Sequence, residues 1–179
     1  MALLRRVQDG DREAFATVYR DYHPRLYAYL FRFLADRCLV EEVLDDVMFV
    51  VWKDALKFRQ DCQFSTWIFG IAYRQALSAL RQHKRYQGPL DPLTDLPATS
   101  SADAVMNDWI MAGLGQLSSD HRQVIVLTYI CGFSCQEISE IADCPLNTVK
   151  TRMFHARRRL RILLPQLAGQ DQETDRDRA

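Results

Sequence analysis

The sequence predicts an all-α chain of two small helical domains joined by a flexible linker. Three observations carry that expectation. Apolar residues recur at helical spacing along most of the chain. Strand signals are weak: Val124–Tyr129 is β-rich in composition, but its neighbours continue a helical period. Between Tyr86 and about Val105 the periodicity stops, and three of the six prolines gather there beside Gly88, Ser100 and Ser101.

In chain order, Phe15, Val18, Tyr19, Tyr22, Leu26, Tyr29, Leu30 and Phe33 form one apolar stripe, with Pro24 expected to kink or restart the helix. A second stripe runs through Val40, Val43, Leu44, Val47, Val51, Trp52 and Ala55, and Glu41, Glu42, Asp45 and Asp46 lie on or beside its opposite face. A loop follows from about Lys57 to Phe64. Ser65 is expected to cap the next helix, with Phe64 and Phe69 at the spacing of a hydrophobic staple. That helix passes Trp67, which reads as core, and ends in the basic run at Arg85. The expected bounds are a first domain at 1–86, a linker at 87–105, a second domain at 106–168 and a disordered polar tail at 169–179.

The strongest local signal is Ser134 to Leu164. Ser134-Cys135-Gln136-Glu137 has the pattern of a capping box. Asp143-Cys144-Pro145 forces a turn in which Asp143 tolerates a tight backbone and Pro145 opens the next helix. Small Ser139 permits close helix approach. This is helix-turn-helix spacing. Leu146, Val149, Met153, Ala156, Leu160 and Leu163 should face inward. Asn147, Thr148, Lys150, Thr151, Arg152, His155, Arg158 and Arg159 are then left outward, a mixture suited to phosphates and base edges in a major groove. The bland alternative is a helical hairpin that binds protein.

Composition narrows the function. Lys+Arg and Asp+Glu both number 23 among 179 residues, so the chain is not globally basic. Charge is instead segregated. Glu41 to Asp46 holds four acids, whereas Arg74–Arg85 and Lys150–Arg161 hold bases without acids. Acidic and basic surfaces on one chain suit two kinds of partner, a basic protein and a polyanion. No apolar run is long enough to span a bilayer. The N-terminus has no signal-peptide pattern, so a cytoplasmic protein with reduced thiols is expected. Cys131, Cys135 and Cys144 with His121 or His155 could be imagined as a zinc site, but their spacing is loose. No phosphate-cradling glycine loop or histidine–nucleophile spacing occurs, so neither catalysis nor a cofactor or metal is expected.

At this point three motifs, in order, resemble one family. Val40-Glu41-Glu42-Val43-Leu44-Asp45-Asp46-Val47-Met48-Phe49-Val50-Val51-Trp52 resembles the region 2.2 helix of sigma-70-type RNA polymerase sigma factors. Phe64-Ser65-Thr66-Trp67-Ile68-Phe69-Gly70-Ile71-Ala72-Tyr73-Arg74 resembles regions 2.3 to 2.4. Leu117 to Leu164 resembles region 4, most clearly at Thr148-Val149-Lys150-Thr151-Arg152. With no third domain between them, the chain is similar to the extracytoplasmic-function group.

The resemblance implies a sigma region 2 bundle, a sigma region 4 helix-turn-helix and a set of roles. Glu41, Glu42, Asp45, Asp46 and Phe49 would dock on the clamp helices of the largest subunit of core RNA polymerase. Phe58, Asp61, Phe64, Ser65, Thr66, Arg74, Gln75, Ser78, Arg81, Lys84 and Arg85 would handle the −10 promoter element, including a base flipped into an aromatic-walled pocket. The Thr148–Arg159 face with Asn147 would read the −35 element, and the second domain would meet the polymerase flap region. The acidic linker would thread toward the RNA-exit channel. An anti-sigma factor covering both domains is the implied regulator. Asp45, Met48, Ser118 and Pro145 depart from the usual residues of the family at their positions, which bears on promoter sequence and docking geometry. The rival class is a stand-alone regulator that binds duplex DNA as a dimer without polymerase.

Overall fold

In a computed structural model, the structure describes residues 2–58, 61–86 and 102–176. Among these there is no strand. The helices are α1 (Ala2–Gln8), α2 (Arg12–Leu34), α3 (Arg37–Asp54), α4 (Phe64–Tyr86), α5 (Ala102–Gly115), α6 (Ser119–Tyr129), α7 (Cys135–Ile141) and α8 (Leu146–Arg176), with a 3-10 turn at Ala55–Lys57 after α3. Helices α1 to α4 pack as one bundle, and α5 to α8 as a second.

Capping fixes the first bundle locally. Asp11 accepts from the Glu13 and Ala14 amides at 2.9 and 3.1 Å and opens α2. Arg6 also holds its carboxylate at 2.7 Å. The α2–α3 turn is two residues long. Ala35 adopts φ 59°, its amide donates to the Phe31 carbonyl, and Asp36 caps α3 by accepting from Leu39 at 3.0 Å. A left-handed alanine is strained. The tight turn lets α3 fold straight back on α2, so Val40, Val43, Leu44 and Val47 meet Leu26, Leu30 and Phe33 in the core.

Several expectations need correction. Helix α2 runs through Pro24 without a restart. Pro24 and Arg20 are both exposed, so the carbonyl that loses its partner faces water. Ser65 is not the cap of α4. The helix begins at Phe64, and the Gln63 carbonyl takes the first helical bond, from Trp67 at 3.1 Å. Phe64 therefore lies inside the first turn and forms no staple with Phe69. Its ring meets Tyr22, Phe58 and Trp67, while Phe69 meets Tyr29 and Phe133. Pro145 stands one position earlier than expected, as the residue whose carbonyl accepts from Thr148 and Val149 before α8 starts. Helix α5 already begins at Ala102, inside the stretch read as linker, and α8 continues to Arg176, inside the stretch read as tail. The polar tail residues after Gly169 include no further glycine or proline up to Arg176, and polarity predicts exposure without breaking a helix. Residues 59–60, 87–101 and 177–179 lie outside the described residues, and with them most of the expected linker.

The buried residues of both bundles join into one cluster. Helix α4 packs on α7, and α2 packs on α6. Two units expected to hang from a tether are thus in direct contact.

Candidate polymerase and nucleic-acid interface

Helix α3 places its acids where the stripe predicted. Val40, Val43, Leu44, Val47 and Met48 are buried, while Glu41, Glu42, Asp45 and Asp46 are all exposed. Arg37 lies 3.6 Å from Glu41, an exposed pair, and among the described residues the other three carboxylates form no ion pair. Phe49 stands 62% exposed beside them, with the Lys53 ammonium 6.0 Å from its ring centre. A phenylalanine so exposed contributes little to folding, and with its acidic neighbours it makes a face suited to a basic, partly apolar protein surface.

The head of α4 is an aromatic cluster. Phe58, Phe64 and Trp67 pack ring to ring at 5.3 to 5.8 Å, and Tyr22 of α2 closes on Phe64 at 5.6 Å. Trp67 is half-buried against the core, as expected. Two of the residues assigned to the −10 element lie deeper than the rest. Phe58 is 7% and Thr66 2% exposed, and the Thr66 hydroxyl has no hydrogen-bond partner among the described residues. Phe64, Ser65 and Gln75 are half-buried, and Asp61, Arg74, Ser78, Arg81 and Arg85 are exposed. Lys84 lies on the same helix. Helix α4 therefore offers an aromatic end and a basic end along one rod.

The helix-turn-helix forms as its local chemistry dictates. The Ser134 hydroxyl accepts from the Glu137 amide at 3.2 Å, and Glu137 accepts from the Ser134 amide at 2.8 Å, which completes the capping box. Asp143 takes the left-handed turn at φ 48°. Ser139 does more than allow close approach: its hydroxyl donates to the Cys144 carbonyl at 2.6 Å and ties α7 to the turn. On α8, Val149, Met153, Ala156 and Leu163 are buried, while Leu146 and Leu160 are half-buried. Asn147, Lys150, Thr151, His155, Arg158 and Arg159 are exposed and Thr148 is half-exposed.

Arg152 differs from this set. Its guanidinium lies 2.7 Å from the Asp120 carboxylate at the start of α6, and its charge acts on the Tyr73 hydroxyl of α4. Burial raises the Tyr73 hydroxyl pKa above its ordinary value, and the Asp120 charge adds to that.

The sequence reading missed two residues. Phe154 is 62% exposed on α8, edge-on to His155; its place outside the apolar stripe was the available signal. Arg122 of α6 carried none. Its Nε and Nη2 donate to the Leu114 and Gly115 carbonyls, and its Nη1 reaches the Phe33 carbonyl of α2. Among the described residues no group of three or more His, Cys, Asp or Glu side chains is placed to hold a metal, and no helix is long and apolar enough to cross a membrane.

Comparison with known proteins matches this geometry. The family model described as Sigma-70 region 2 matches residues 18–86, and the one described as Sigma-70, region 4 matches residues 107–160. The chain is 31% identical over 172 residues to the ECF RNA polymerase sigma factor SigK of Mycobacterium tuberculosis, covering 91% of this chain and 92% of that one. It is 28% identical over 174 residues to the RNA polymerase sigma-H factor of Pseudomonas aeruginosa, covering 87% and 88%. Among solved structures, the sigma factor RpoE in complex with the anti-sigma factor NepR from Bartonella quintana aligns with a TM-score of 0.73 at 26% identity, over 84% of this chain and 96% of that one. CnrH, solved with the cytosolic domain of CnrY, shares the fold with a TM-score of 0.71 at 24% identity, over 92% and 96%.

Proposed function

The chain belongs to the sigma-70 family of RNA polymerase sigma factors, in its ECF group, and from that premise we propose how its surfaces divide the work of promoter-specific initiation. The exposed face of α3, with Glu41, Glu42, Asp45, Asp46 and Phe49, docks on the clamp helices of the polymerase's largest subunit. Carboxylates there offer acceptors to arginines, and Phe49 supplies apolar contact.

Helix α4 takes the −10 element. The aromatic end supplies a stacking wall for an unpaired base, and Arg74, Arg81, Lys84 and Arg85 follow the phosphates. Melting then proceeds by capture of an unstacked base, driven by binding energy. Helix α8 enters the major groove at the −35 element. Lys150, Arg158 and Arg159 meet phosphates or guanine edges, Asn147 and Thr151 reach polar base edges, and Phe154 packs on a thymine methyl group. The α5–α8 bundle meets the flap region, and an anti-sigma factor acts as the regulator in the cytoplasm.

The observation that carries this reading is the exposed acidic and aromatic face of α3 on the same chain as a basic helix-turn-helix. A duplex-binding regulator acting alone has no need of that face. The test is promoter-specific transcription with sigma-free core polymerase on a library of upstream sequences. Discrete start sites that vanish in the double variant Asp45→Lys/Asp46→Lys are expected. Protection of a duplex site by the protein alone, with no initiation, would replace this reading with that of a stand-alone regulator.

A further inference from the structure

We propose that a hollow beside the recognition helix is a phosphate-binding site, in which Arg158 and Arg159 hold the anion and the His121–His155 pair tightens the grip when protonated. The hollow measures about 420 Å³ and lies between the start of α6 and the middle of α8. Both arginines and both histidines line it. The two imidazole rings lie with their centres 6.2 Å apart and their planes 28° from parallel. Leu117, which is buried, and Ile162 add apolar wall.

The charges around this hollow are one-sided. Among the described residues that line it there is no carboxylate. Asp120 precedes His121 on α6, but it pairs at 2.7 Å with Arg152 of α8. Arg122 follows His121 and is bound to the Leu114, Gly115 and Phe33 carbonyls. The α5–α6 turn contributes Gln116 and Ser118, both uncharged, and the Ser118 hydroxyl accepts from the His121 amide. On α8, His155 meets Phe154 edge-on. Arg158 and Arg159 are exposed, and neither forms an ion pair among the described residues.

Two guanidiniums and two imidazoles thus converge without a counter-charge. Like charges held close together repel, and each proton added to an imidazole there adds to the repulsion. A phosphate group reverses that sign. Guanidinium forks match its oxygens, and an imidazolium donates from its ring nitrogens. Proton and anion then favour each other by linkage. The site therefore binds phosphate more tightly as pH falls through the range where imidazoles titrate, about pH 8 to 5.

Two sources can fill such a site. One is a backbone phosphate of the −35 duplex, and that source rests on the placement of α8 proposed above. The other is a free phosphorylated small molecule, which does not depend on that placement. The first arm of the experiment uses inorganic sulfate, an isostere of phosphate that stays dianionic, with sodium chloride at equal ionic strength as reference. It is added to the full chain carrying labelled histidine and followed by imidazole NMR. Sulfate should move the His121 and His155 resonances and leave those of His23 and His83 in place. Its dissociation constant should be roughly ten-fold lower at about pH 6 than at about pH 8. The double variant His121→Gln/His155→Gln should lose that pH dependence. Arg158→Gln, at an exposed position that tolerates change, should weaken sulfate about five-fold at both pH values, with helicity as the check on folding. Wild-type resonances that do not move, or an affinity equal at both pH values, would overturn the proposal.

The second arm measures holoenzyme binding to −35 duplexes that carry one neutral methylphosphonate at a time. If the promoter backbone fills the site, one position should weaken wild type and have no further effect in Arg158→Gln. Sulfate binding as expected, with no position coupled to Arg158, assigns the site to a free phosphorylated molecule. A holoenzyme that ignores the −35 sequence altogether would remove the −35 reading and leave the sulfate result standing.

Discussion

The Arg122 guanidinium joins the two bundles: its Nη1 donates at 2.9 Å to the Phe33 carbonyl, the third-last residue position before Asp36 caps α3. Its other nitrogens close the α5–α6 turn by binding the Leu114 and Gly115 carbonyls at 2.8 and 2.9 Å. One planar fork thus binds three helix-end carbonyls, of which that of Leu114 also accepts from the Leu117 amide at 3.1 Å. Burial lowers its pKa without removing its charge. Arg122→Ala should lower stability by about 3 kcal/mol, since charge-assisted bonds contribute roughly 1.5–3 kcal/mol each and part of the loss is recovered by water. Arg122→Lys should recover less than half, because an ammonium cannot span three carbonyls. Urea denaturation midpoints measure both.

The contrast between Arg122 and Ser134 shows what was legible in the sequence. Ser134 and Glu137 are three residues apart, so their reciprocal capping is written in a four-residue window, and the structure reproduces it. The acidic face of α3 was equally legible, because the valine and leucine stripe fixes the helix rotation. Arg122 meets Phe33 across 89 residues of sequence, and no periodicity encodes such a pairing. The same holds for Arg152. Its place on the outward face of α8 was readable, but its pairing with Asp120 depends on how α6 packs against α8. The Ser65 cap failed for a local reason. Serine is the better cap by preference, yet the ring contacts of Phe64 with Tyr22, Phe58 and Trp67 accompany an earlier start, with Gln63 supplying only its carbonyl.

Ser134→Ala should remove the hydroxyl that the Glu137 amide needs and leave the Glu137 carboxylate with one donor fewer. Loss of an N-cap of this kind costs about 1 kcal/mol. Helix α7 has seven residues and no reserve of turns, so the local effect should exceed the global one. Hydrogen exchange of the α7 amides should accelerate roughly five-fold, and a variant Ser134→Thr should restore protection. Unchanged exchange in Ser134→Ala would show that packing of Ile138 and Ile141 alone holds the helix.

Asp11 gives a pH dependence of known sign. Its pKa is held below the ordinary 3.8 by the Ala14 amide first and then by Arg6. A carboxyl with a lowered folded-state pKa stabilises the fold above its unfolded value, and that contribution is lost as pH falls through the folded value. The stability gap between wild type and Asp11→Ala should therefore be full at neutral pH and shrink below pH 3.8. Titrating urea midpoints of the two proteins in parallel checks it. A gap that widened toward acid would mean that Asp11 is bound more weakly than the capping geometry implies.

On α8, Lys150 and Phe154 separate two kinds of DNA contact. Both are exposed on the recognition helix, four residues apart, one with a charge and one without. A lysine that neutralises a phosphate releases about one counterion, so Lys150→Ala should weaken holoenzyme binding to every promoter alike and reduce the salt slope by about 1. Phe154→Ala should leave the salt slope unchanged, because no ion is displaced by an apolar contact. Its loss should be selective, about 1–3 kcal/mol at promoters with thymine opposite the helix and little elsewhere. The measurement is holoenzyme binding to a −35 library at several salt concentrations. If Phe154→Ala weakened all sequences equally, its ring would be serving the protein and not reading a base.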